Sequence, residues 1–171
     1  DLDVGQFGAL WFDPVVTRNY VPITQVQPGR AFWMRVYDMI GSTRPFEVAS
    51  DAAIVGEQSG KQVKEQYVQL SRGWNMVGNP FVYPIYLGQL QFYNSSTNST
   101  VTLDQAVASS WISRTMFSWN SDRNAYDVIR DNDEMLLPWN GYWIRANKPV
   151  TLVFRPGIWP GSSVTSLPGG Y

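Results

Sequence analysis

The sequence predicts an all-β protein: a β-sandwich built from two related halves, with one short α-helix near 103–111. Three observations carry that prediction. Short runs rich in Val, Ile, Tyr, Phe and Trp are broken repeatedly by Gly, Pro, Asn and Asp, which is how β proteins punctuate themselves. Two stretches 110 residues apart, PGRAFWMRV from Pro28 and PWNGYWIRA from Pro138, repeat one phrase. With 171 residues and 44% apolar side chains, the chain suits one domain or two small halves sharing a core.

Strands are expected near residues 8–12, 30–37, 45–49, 66–78, 115–119, 125–129, 141–147 and 150–155. In RAFWMRV, alternation places Phe32, Met34 and Val36 on one face and Trp33 and Arg35 on the other. Tyr142 and Ile144 against Trp143 and Arg145 repeat that division. An aromatic followed by an arginine reads as a half-wet face, with a guanidinium stacked near a ring. The helix begins at Thr102, an N-cap with Gln105 three residues on in a capping box. Leu103, Val107 and Trp111 then share a stripe, so Trp111 is expected against the sheet. The polar stretch 93–101, YNSSTNSTV, reads as a surface loop, and its N-x-S/T triplets at Asn94 and Asn98 are the kind chance supplies there.

The organisation follows the repeat. Residues 1–49 form a first, incomplete β half, 50–66 a connecting segment, 67–156 the second half, and 157–171 an extended Pro/Gly-rich tail. Phe32 faces Tyr142, Trp33 faces Trp143 and Arg35 faces Arg145; Arg44-Pro45-Phe46 answers Lys148-Pro149-Val150. Upstream, Trp11 and Tyr20 are aligned with Trp119 and Tyr126. The second half opens on GWNMVGNPF at 73–81, for which the first half has no counterpart.

GWNMVGNPF followed by PWNGYWI resembles the GWN-x-x-GNP … P-W-x-GYW modules of large secreted and surface proteins of Bacteroidota and their relatives, often exported by the type IX pathway. The resemblance covers 67–155 well and 8–48 weakly. It implies a non-enzymatic, β-rich module at an extracellular or cell-surface location, and it transfers no functional residue. The chain opens on Asp1 rather than Met, so a removed leader or a longer parent is expected.

Composition removes several function classes. A net charge of −1 with 16% charged residues offers no field for nucleic acid, and no apolar run is long enough for a membrane span. Without His or Cys, the commonest ligands of zinc, copper and iron are missing, as are Ser-His-Asp and Cys-His arrangements. No cofactor is expected. The acidic cluster RDNDE at 130–134 reads as a solvated turn rather than a glycosidase pair. Asn120, Asp122 and Asn124, and again Asp131 and Asp133, alternate like part of a calcium loop. Lacking a closing Glu or a defined Gly, they read better as hairpin turns.

The eight tryptophans matter more. Trp33, Trp74, Trp111 and Trp143 sit at patterned positions and read as core or half-core. Trp139 in the PWNG turn, Trp159 in the tail, and Tyr83 and Tyr86 in NPFVYPIY are the candidate ligand-stacking aromatics. The leading expectation is therefore a non-catalytic structural or adhesive module of an extracellular bacterial assembly. Its partners would be copies of itself or neighbouring domains, with strand complementation at the incomplete half and the tail as a candidate donor. The alternative is a carbohydrate-binding module that takes a polysaccharide on surface Trp and Tyr.

Overall fold

The computed structural model describes residues 7–36, 65–81 and 83–155. The strand expected at 45–49, the connecting segment up to residue 64, and the tail with Trp159 lie outside them. In chain order the first strands are β1 Phe7–Phe12, β2 Tyr20–Pro22, β3 Trp33–Val36, β4 Gln66–Leu70, β5 Gly73–Gly78, β6 Ile85–Tyr86, β7 Gln91–Asn94 and β8 Ser99–Thr102. After helix α1, Leu103–Ala108, come β9 Ile112–Asn120, β10 Ala125–Ile129, β11 Met135–Leu136, β12 Gly141–Ala146 and β13 Val150–Phe154. The protein is all-β with one short helix.

Two four-stranded antiparallel sheets, β10-β9-β12-β5 and β4-β13-β7-β8, enclose the core. Alternation drives this. Val77, Met116, Tyr142, Ile144 and Ala146 point inward from the first sheet, and Val68, Leu70, Phe92, Leu152 and Phe154 from the second; all are buried. At about 1.5–3 kcal/mol for each large side chain removed from water, this layer holds most of the stability. Leu103 and Ala106 of α1 join the same cluster. A third sheet, β2-β1-β3, lies on the outer face of β10-β9-β12-β5, and β6 pairs with β11 as a small separate ladder.

Several local expectations change. The strand read at 66–78 is two strands in different sheets, because Gly73 (φ 109°) turns the chain between them. Buried Asn75 fastens that corner: its Oδ1 accepts from Ser71 N at 2.9 Å, and its Nδ2 donates to Ser71 O and Gly73 O. The polar stretch 93–101 is mostly the β7–β8 hairpin, in which Asn94 is buried and turns the chain by accepting from Ser96 N. The helix ends at Ala108, not 111. Its capping box is present, with Thr102 Oγ1 accepting from Gln105 N and Gln105 Oε1 accepting from Thr102 N. Trp111 follows the helix and is buried, with Lys148 Nζ 4.1 Å from its ring centroid. Among the described residues, the other cation over a ring is Arg30 on Trp11, at 5.0 Å.

Candidate functional site

The repeated motif residues serve architecture. Asn79 Nδ2 donates to Tyr83 O and Leu136 O while its Oδ1 accepts from Phe81 N, which ties the loop after β5 to β11. Tyr142 is buried and its hydroxyl accepts from Leu137 N at 2.6 Å; burial raises its pKa. Two motif glycines lie against the other half. Gly78 N donates to Gly29 O at 2.9 Å, and a Cβ on Gly141 would stand 3.1 Å from Ala31 Cβ. Arg30 forms a bridge with Val77 on the edge of β5.

Strand register makes the internal repeat explicit. Trp33 stands opposite Leu10 as Trp143 stands opposite Phe117, so Phe12, rather than Trp11, answers Trp119. Phe12 then faces Tyr20 as Trp119 faces Tyr126. The turns agree. Asp13 Oδ1 accepts from Val15 N and Val16 N, and Asn120 Oδ1 accepts from Asp122 N and Arg123 N. Arg18 (φ 50°) matches Asn124 (φ 49°), each two residues before its tyrosine, and Gly29 (φ 77°) matches Trp139 (φ 65°).

The halves meet through these equivalent residues. Trp143 packs edge-on against Phe12 (5.3 Å between centroids) and Tyr20 (6.4 Å), and Trp33 packs edge-on against Trp119 (5.8 Å). Since Phe12 stands for Trp119 and Trp33 for Trp143, the contact is reciprocal, as in an isologous interface. Such ring pairs contribute about 0.5–1.5 kcal/mol each beyond their buried area. The same outer face continues past the third sheet. Trp74, Trp119, Tyr126 and Val128 stay exposed there, with Trp119 against Tyr126 at 5.2 Å and Trp74 against Phe117 at 5.8 Å. Trp74, expected as core or half-core, is 41% exposed.

The expected stacking aromatics divide. Trp139 is 89% exposed at the turn into β12. Tyr83 lies flat on Phe81 (5.2 Å, 1°) and packs partly buried on the core, and Tyr86 sits half-buried in the β6–β11 ladder opposite Met135. The acids have local partners. Glu134 Oε2 accepts from Arg130 N and Asp131 N, and these backbone bonds, Asp131 first, lower its pKa. Asp104 pairs with Arg114 and Asn132, the Arg114 bond being the chief cause that holds its carboxyl low. Asn120 and Asn124 form the β9–β10 turn, where Asn120 Nδ2 also donates to Asp127. Among the described residues no three acidic side chains gather as a metal site, and no helix is long and apolar enough to cross a membrane.

One asymmetry remains. β12 is flanked by β9 and β5, whereas its equivalent β3 has β1 as its one ladder neighbour among the described residues. Searches against protein-family models, characterised proteins and solved structures return no match for this chain.

Proposed function

We propose that this chain is a non-catalytic structural or adhesive module of an extracellular bacterial assembly, associating with copies of itself or with neighbouring domains. The unequal completion of two equivalent sheets among the described residues carries this reading. A strand edge with free N–H and C=O groups is a template for another strand. The β3 edge stands where its equivalent, β12, is completed by β5. The exposed rings of Trp74, Trp119 and Tyr126 beside the inter-half contact add apolar surface of the kind that marks association sites. The surface location rests on the GWN … GYW resemblance.

The test is light scattering on residues 1–171 across a concentration series, with and without a synthetic peptide spanning 71–81, the missing-strand sequence. The expected result is concentration-dependent growth in mass that the peptide suppresses. A chain that stays monomeric at high concentration and takes up no peptide would end the proposal.

A further inference from the structure

The opposite outer face of the sandwich, on the sheet β4-β13-β7-β8, carries a second feature. Side chains that point away from the core form two adjacent rows across the strands. One runs Tyr67–Val153–Gln91 and the next Gln69–Thr151–Tyr93–Thr100. The central strand β13 contributes the small Thr151 and Val153, which are 6% and 2% exposed although they face outward. Together with Glu65, Tyr67, Gln69, Tyr93, Thr100 and Arg155 they line a trough of ≈ 400 Å³. Its volume falls within the range of about 300–1,000 Å³ usual for small-ligand sites.

We propose that this trough binds a neutral carbohydrate chain. The two tyrosines stand diagonally across it, on β4 and β7 with β13 between, so about 10 Å separates their strands. Both rings are held. Tyr67 hydroxyl donates to Glu65 Oε2, and Tyr93 hydroxyl donates to Asn98 Oδ1 at 3.1 Å. Ring positions fixed before binding spare the ordering cost that flexible side chains incur. A pyranose presents an apolar C–H face that loses water favourably against such a ring, and its hydroxyls then need polar partners at the rim.

The rim supplies them without net charge. Gln69 Oε1 accepts from Thr151 Oγ1 at 3.0 Å, which orients the side chain and leaves its amide N–H groups for a ligand oxygen. Thr100 adds an exposed hydroxyl. The rim's cation is already matched: Arg155 Nε lies 2.8 Å from Glu65 Oε1. A paired charge gives no advantage to an anionic glycan or a nucleic-acid phosphate. This inference is independent of self-association, which uses the opposite face.

Native affinity electrophoresis of the full chain in gels cast with neutral glucan, mannan or xylan, and with anionic alginate, tests it. At least one neutral polysaccharide is expected to retard the protein while alginate does not. Tyr67→Ala and Tyr93→Ala should each weaken retardation about tenfold, an effect of one pair of stacked groups. Trp139→Ala, far from the trough's lining, should leave it nearly unchanged. Tyr67 is 60% exposed, so its truncation is expected to keep the fold, which circular dichroism verifies. No retardation by any neutral gel would overturn the assignment. So would retardation that survives the Tyr67→Ala/Tyr93→Ala double variant, or that is lost in Trp139→Ala; the latter would move the site to the turn.

Discussion

The two halves of this protein write the same strands and turns, yet they solve different problems. In the second half, β9, β10 and β12 gain β5 at their edge and a whole facing sheet, so Tyr142 and Ile144 are buried. In the first, β1, β2 and β3 form a three-stranded sheet in which Met34, at the position of Ile144, is 41% exposed. Equivalent sequence therefore does not guarantee equivalent burial. What a strand buries depends on what the rest of the chain brings to lie across it. The first half is held instead by its other face, where Phe12, Tyr20 and Trp33 meet the second half's aromatics.

Variants at matched positions test how far the two halves are equivalent. The largest effect is expected at the aromatic contact. Trp143→Ala loses two ring partners and should destabilise by about 3 kcal/mol, the low end for truncating a large aromatic because the ring is half-buried. Trp33→Ala loses its ring contact with Trp119 and should cost roughly half as much, with first-half proteolysis appearing before global unfolding. Urea denaturation followed by tryptophan emission measures both; equal costs would mean that the reciprocity extends to energies.

Next is the shared left-handed turn. A Cβ on Gly29 would stand 2.4 Å from Val68 Cγ2 at φ +77°, so Gly29→Ala should cost about 2 kcal/mol. The matched change runs the other way. Trp139 holds φ 65° in solvent, and Trp139→Gly should stabilise by about 0.5–1 kcal/mol in the same denaturation assay. A loss there would show that the indole makes a contact worth more than the strain.

The smallest effect separates the two hairpin turns by pH. Backbone N–H groups of Thr17, Val15 and Val16 hold the Asp13 carboxyl below its ordinary value of 3.8. A depressed carboxyl stabilises the folded state above the unfolded pKa, and the benefit is lost as pH falls through the folded one. Hydrogen-exchange protection at Val15, Val16 and Thr17 should therefore fall in that acid window. The amides of Asp122 and Arg123, held by neutral Asn120, should keep theirs, and Asp13→Asn should abolish the difference.

Much of this was legible in one dimension. The period-two alternation in GYWIRA sorted core from surface, and the capping box placed the start of α1. Register could not be read, because one residue of slip is invisible in composition; hence Trp11 was aligned where Phe12 belongs. The candidate trough was half visible. Tyr67 and Gln69 alternate outward against buried Val68 and Leu70, but Tyr93 lay in a stretch whose Asn, Ser and Thr content masked a hairpin.

Local signals were enough to place β12, β13 and the start of α1, since alternation and capping act within a few residues. Long-range packing settled which strands share a sheet, why Gly141 is tight against Ala31, and that small Thr151 and Val153 lie between two tyrosines. Those outcomes depend on contacts between residues far apart in the chain. There, packing and strand register settle what local preference leaves open.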